Sequence, residues 1–127
     1  MSVRVESTVA ESTTELARRA RAELLALPAD AAPLTYQVLA QRLQLKPPHS
    51  IHRLVQALEL CMHEDAAAGR PFIAARVISR ARGGLPAPGF FALATVLGRH
   101  GGAETGPGAE AFHQAQLRAL HGNLASG

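Results

Sequence analysis

The sequence predicts a mainly α-helical fold with a short β-hairpin, of the winged helix-turn-helix class, with additional N- and C-terminal helices. Apolar residues recur at helical spacing through the first half of the chain, and a Val/Ile-rich segment with a Gly-Gly turn follows. Aromatic residues are few, with four Phe, one Tyr and no Trp. The core must therefore be built from Leu, Val, Ile and Ala, which suits helices that pack closely.

The length of the chain predicts one domain over 1–127, because two separate cores in 127 residues would each be marginal. At 47% hydrophobic and 18% charged residues, the composition is that of a folded protein. Within this domain we expect a winged-helix-like core over 34–90, flanked by helices at 12–27 and 109–121.

Three helices are predicted before the helical pattern of apolar residues ends near residue 70. Hydroxyl residues around Ser12 begin the first helix, and Pro28 ends it. Thr35 caps the second helix, which Pro47-Pro48 stops. The third runs from about 49 to 66 and ends near Gly69. Its apolar stripe consists of Ile51, Leu54, Val55, Leu58 and Met62, with Cys61 near the edge.

The segment 72–79 predicts a strand because it is rich in Val and Ile and lies between Pro71 and Gly83-Gly84. We expect this strand and the glycine turn to form a hairpin, the wing. A fourth helix is predicted from Phe90 to about His100, and a Gly-rich linker at 101–108 leads to the last helix.

The net charge of +3 is unevenly distributed, since residues 66–103 contain arginines and no acidic residue. A basic central region favours an anionic partner through attraction and counterion release. The alternative interpretation is that an Ala-rich chain uses Arg for solubility.

The start of the third helix carries a polar face that could recognise nucleic acid. Arg53 and Gln56 are residue types that contact guanine and adenine edges bidentately, and Lys46 could hold a phosphate. A solvated polar face, which every surface helix needs, is the alternative. The candidate contacts of this region are Lys46, His49, His52, Arg53 and Gln56.

The wing carries arginines that could lie over phosphates. Arg76 alternates with Ala75 and Val77, so we expect it to point outward from the strand. Alternatively, these arginines protect a sheet edge from pairing. The candidate contacts of the wing are Arg76, Arg80 and Arg82.

The residues Thr35-Tyr36-Gln37-Val38-Leu39-Ala40, together with Pro71 and Arg76-Val77-Ile78, carry a family resemblance. This stretch resembles the DNA-binding domain of the O6-alkylguanine-DNA alkyltransferases and the alkyltransferase-like proteins. The resemblance implies a winged-helix DNA-binding fold and places Tyr36 among the candidate DNA contacts. Phe72 follows the proline where the family has its active cysteine, and His52 stands at the family's intercalating arginine. The resemblance therefore implies DNA binding without alkyl transfer.

The remaining patterns predict no enzyme, no cofactor and no metal site. Glu59, Glu64 and Asp65 lie on an exposed helix with no apolar pocket in evidence to raise a pKa. The pairs His49/His52 and Cys61/His63 each supply only two ligands, fewer than zinc requires.

The chain is predicted to be cytoplasmic, with no membrane association. Residues 1–6 resemble no cleaved signal, no stretch reaches the length of a membrane helix, and the single cysteine cannot form an internal disulfide. The function expected is a non-enzymatic nucleic-acid-binding module, with DNA as partner. The alternative is a protein-interaction or homodimerisation domain on the same scaffold, since the two flanking helices could dock on a partner chain.

Overall fold

The computed structural model describes residues 11–126, and within them the chain is mainly helical, with one small parallel sheet. The first six residues, the basis for predicting no signal sequence, lie outside this range. The elements are α1 (Thr13–Leu25), β1 (Leu34–Thr35), α2 (Tyr36–Arg42), α3 (Ser50–Ala68), β2 (Val77–Ile78), α4 (Pro88–Val96) and α5 (Gly106–Ser126). Two 3₁₀ helices, Ile73–Arg76 and Arg80–Arg82, flank β2.

Three of the predicted signals at the helix ends, Ser12, Thr35 and Gly69, are confirmed, whereas α2 ends at Arg42, before the Pro47-Pro48 predicted to stop it. The Ser12 hydroxyl accepts a hydrogen bond from the Glu15 backbone N–H at 3.1 Å, and Thr35 caps α2 through Val38 N–H at 3.2 Å. Gly69 ends α3 with a φ of 70°, a left-handed conformation that favours glycine.

The core forms where α1 lies along α3, and α2 and α4 also pack against α3. The apolar stripes of α1 and α3 meet there, because both helices present Leu or Ala at every third or fourth position. The fully buried members of this contact include Leu16, Ala20, Leu24, Leu54 and Met62.

The β-hairpin prediction is wrong. β2 pairs with β1 in parallel, with Leu34 opposite Val77 and Thr35 opposite Ile78. The rest of the predicted strand is a 3₁₀ helix, because residues 72–77 are all buried among α1, α3 and α5 and have no solvent-facing side that strand alternation would require. In place of the wing, one antiparallel bridge joins Ser79 to Leu85.

The last helix is part of the core. His113 donates from Nε2 to the Ala75 carbonyl at 2.9 Å, and the Gln116 side chain accepts from the Phe72 N–H at 2.8 Å. Ala109 and Leu120 are buried on the same helix. α5 therefore covers the 3₁₀ segment and extends beyond the predicted 109–121 at both ends.

No helix within residues 11–126 combines the length and the apolar character that a membrane span needs.

Candidate nucleic-acid interface

The polar face at the start of α3 is accessible to a ligand. Lys46, His49, His52 and Gln56 are exposed and Arg53 is partly exposed, whereas Leu54 on the opposite face is buried. This is the arrangement expected from the helical period. The five candidate residues of this region all lie within residues 46–56 and all reach solvent.

The N-terminus of α3 has an unusual backbone. His49 is the N-cap and has a φ of 66°, in the left-handed region that non-glycine residues rarely adopt. No side chain caps the helix. Because the N–H groups of the first turn have no partner within their own helix, they remain available to an acceptor outside it.

The cations of the described residues fall into two sets. Five arginines are paired with carboxylates, and three more donate to backbone carbonyls. These eight are Arg18, Arg19, Arg21, Arg42, Arg70, Arg76, Arg82 and Arg99. The lysine and arginine side chains without a hydrogen bond or ion pair in residues 11–126 are Lys46, Arg53, Arg80 and Arg118. Three of these four are predicted site residues.

Arg80 lies beside the start of α2. Together with Thr35, Gln37 and Ser79 it lines an open groove of about 420 Å³. α2 has seven residues and so spans about 10 Å at 1.5 Å per residue. Lys46 lies in the connection after the other end of α2. The short helix α2 therefore separates Arg80, near its first residues, from Lys46 and the start of α3.

The outward orientation predicted for Arg76 is wrong. Arg76 is only 3% exposed, and its guanidinium donates to the carbonyls of Leu24, Leu27 and Pro28 at 3.0, 3.3 and 2.6 Å. These carbonyls lie at and just beyond the C-terminus of α1, where a cation is favoured by the helix dipole. Burial lowers the pKa of Arg76. Arg76 therefore stabilises the end of α1 and does not extend outward from a wing as predicted.

Arg82 is likewise engaged within the protein. Its Nε donates to the Pro86 carbonyl at 2.8 Å, and its Nη2 donates to the Glu104 carbonyl. It connects the turn after β2 to the segment before α5, so less of its hydrogen-bonding capacity remains for a ligand.

Tyr36 is 8% exposed, and its hydroxyl accepts a hydrogen bond from the Ala87 N–H at 2.9 Å. Burial raises the pKa of the phenol. The cavity beside it, which Glu59 and Met62 also line, measures about 10 Å³. This is the space of about one water molecule. In this structure Tyr36 is a core residue, and the predicted contact with nucleic acid is not supported by its position.

A buried ionic network near the end of α3 was missed by sequence reasoning. Asp65 is 1% exposed and accepts from Arg21 at 2.8 Å, from Arg70 at 3.0 Å and from the Ile73 N–H at 3.0 Å. Arg99 donates to the Asp65 carbonyl and stacks over the Phe72 ring at 4.5 Å. The network connects α1, α3 and the 3₁₀ segment, and it is structural.

Cys61 and the histidines give no reactive centre in the described part of the chain. Burial raises the pKa of the Cys61 thiol to about 11, so the thiol stays protonated near neutral pH, and Sγ lies 3.4 Å from the Ala17 carbonyl. Among residues 11–126, no three His, Cys, Asp or Glu side chains come together as a metal site would need.

Comparison with protein families, curated proteins and solved structures yields no match to this chain.

Proposed function

We propose that the chain is a non-enzymatic nucleic-acid-binding module that contacts duplex DNA through the start of α3. The observation that carries the proposal is that the lysine and arginine side chains divide into those bonded within the protein and those without a partner. Most arginines are paired within the fold, whereas Lys46, Arg53 and Arg80 have no protein partner in the described residues. Cations without a partner in the protein are what phosphate contacts require, and such contacts supply most of the affinity for nucleic acid.

The arrangement of the elements supports this proposal. α2 and α3 pack as two consecutive helices, and Lys46 and His49 lie in the connection between them. This connection, residues 43–49, is longer than the three- or four-residue turn usual between such helices. In the proposed complex, Arg53 and Gln56 reach base edges from the first turns of α3, while Lys46 and Arg80 hold phosphates on either side.

The space beside Tyr36 is too small to receive an extruded base. A flipped base needs a pocket of its own size, and the space of about 10 Å³ falls far short of that. We propose binding mainly through phosphates and groove edges, with no base received beside Tyr36.

The test is binding of a fluorescein-labelled duplex, measured by anisotropy across a salt series. If Lys46 and Arg80 each neutralise one phosphate, log K should fall with log salt with a slope of about −2, since each contact contributes about −0.9. Replacing either of them by Gln should reduce the slope by about 0.9, whereas Arg53→Gln should weaken binding with little change in slope. Arg18→Gln is the matched control, because Arg18 is exposed but paired with Glu15.

Two results would contradict the proposal. One is a folded protein that fails to bind any duplex at low salt. The other is an equal loss of affinity in Arg18→Gln, which would mean that binding depends only on net charge.

The alternative of a protein-interaction or dimerisation domain rested on flanking helices with uncovered apolar faces. Both flanking helices pack into the core, and Leu25 and Val96 are the exposed large apolar residues in the described part of the chain. We therefore give DNA binding precedence. A light-scattering mass of two chains at micromolar concentration would favour the alternative.

A further inference from the structure

The fourth unpaired cation, Arg118, lies at a second groove that shares no residue with the α3 interface. The groove has a volume of about 310 Å³ and lies between the loop after α1 and the last helix, α5. Pro33, Leu117 and Leu120 supply apolar surface, and Arg76, Arg118 and His121 supply nitrogen donors. A volume of this size fits a small organic molecule.

The buried Arg76 brings to this groove a positive charge that forms no direct ion pair in the described residues. It is 3% exposed, and it forms no ion pair with a carboxylate of the described residues. Its three hydrogen bonds go to carbonyls, which satisfy donors but carry no net charge. A guanidinium has five N–H groups, so at least two have no partner in the described residues, and Arg76 is among the residues that line the groove. A buried cation without a counter-ion favours an anion beside it.

The shape and charge of the groove select among anions. Arg118 is exposed and unpaired, and His121 contacts the Ala29 carbonyl through Nδ1 at 3.2 Å, which ties the loop to the helix. Asp30 also lines the groove, and its negative charge disfavours a doubly charged phosphate. Leu117 and Leu120 on α5 form an apolar surface in the groove. An inorganic ion could not cover this surface, whereas a ligand with an apolar body could.

We propose that this groove binds a small monocarboxylate with an apolar body. The carboxylate lies against the guanidinium groups of Arg76 and Arg118, and the apolar body lies on Leu117 and Leu120. Arg–carboxylate contacts are charge-assisted and directional, so the two arginines fix the orientation of the ligand. The proposal is independent of DNA binding, because none of these residues belongs to the α3 interface.

The test uses the ¹⁵N-labelled full chain, titrated with benzoate, with the neutral isostere benzamide and with inorganic phosphate. We expect benzoate to shift the amide signals of residues 29–31 and 117–121 with saturation, and to bind at least about five-fold more tightly than either other probe. Arg118→Gln should weaken benzoate binding about five-fold. Arg18→Gln removes another exposed arginine, far from this groove in the sequence, and should leave benzoate binding unchanged.

Three outcomes would overturn the proposal: no saturable shifts at these amides, benzamide binding as tightly as benzoate, or phosphate binding as tightly as benzoate. The same labelled samples report duplex binding through the amides of α3, so loss of one site is distinguished from loss of the other. Arg118→Gln alters an exposed side chain without protein partners, so the variant should keep the fold.

Discussion

Replacing Asp65 by Asn tests whether the buried network at the end of α3 holds the fold together. The carboxylate accepts from two guanidinium groups and one backbone N–H, on three parts of the chain. The amide of Asn keeps one acceptor oxygen and brings two donors, so it places donor against donor. Arg21 and Arg70 would also lose their shared negative partner.

The magnitude follows from how exposed the two arginines are. Removing one partner of a fully buried ion pair costs about 3–5 kcal/mol, because the other charge is left without compensation. The side chains of Arg21 and Arg70 are 20% and 51% exposed, so water recovers part of that cost. We therefore expect Asp65→Asn to lower the free energy of unfolding by about 2–3 kcal/mol. For a domain of this size, the midpoint of thermal unfolding would fall by about 10 °C.

Urea unfolding at pH 7, followed by circular dichroism, measures the change. Glu64→Gln is the matched control, because the neighbouring Glu64 contacts the same Arg21 but its side chain is 46% exposed, and the expected loss is below about 1 kcal/mol. If Asp65→Asn costs no more than Glu64→Gln, the network is not a stabilising feature and the reasoning fails.

Three further predictions concern single residues. Arg76→Leu leaves three carbonyls near the end of α1 without their donor and should cost about 3 kcal/mol in urea unfolding, whereas an unchanged midpoint would contradict its role. Burial, partly opposed by the hydrogen bond to Ala75, lowers the pKa of His113 below 6.5. The unfolded chain then binds the proton first, so stability should decrease as the pH falls below about 6.5 and level off below the folded pKa. In His113→Gln the unfolding free energy should change less between pH 7 and pH 5, and an unaltered pH profile would refute the assignment. His49→Gly removes left-handed strain and should raise stability by up to about 1 kcal/mol while weakening duplex binding, so a stability loss would argue against strain at this position.

The helices could be predicted from the sequence because local signals and burial agree there. Ser12, Thr35 and Gly69 each stand where a cap or terminator is needed, and the structure uses all three. The exposed face around Arg53 follows from the same helical period, so five of the candidate interface residues could be placed on the surface of α3 or the loop before it.

The segment from Phe72 to Ser79 could not be predicted in the same way. Its Val and Ile content favours a strand, but the segment lies in the interior, where contacts with three helices determine its conformation. The prediction that Arg76 points outward assumed a strand with one face exposed to solvent. Once residues 72–77 are buried on all sides, the arginine has to find its acceptors inside the protein.

Asp65 did leave a signal in the sequence. It stands at the helical spacing of Leu54, Leu58 and Cys61, all of which are buried, so the same period that assigned the stripe also places Asp65 on it. A carboxylate on a buried stripe requires a cationic partner. The partner Arg21 is 44 residues away in the chain, and no local pattern connects the two.

The division of the arginines explains why net charge alone is a poor guide to the function of this chain. Arg76, Arg82 and Arg99 bind carbonyls at the ends of structural elements, a task for which a planar group with five donors is suited and a lysine is not. These residues add positive charge to the composition but are occupied within the fold. The charge available to an anionic partner comes from the few cations that the fold leaves unpaired, and from Arg76 where it borders the groove beside α5. The unpaired cations lie at the two grooves and on the face of α3. Arginine-to-glutamine substitutions should therefore separate into those that destabilise the fold and those that change only ligand affinity.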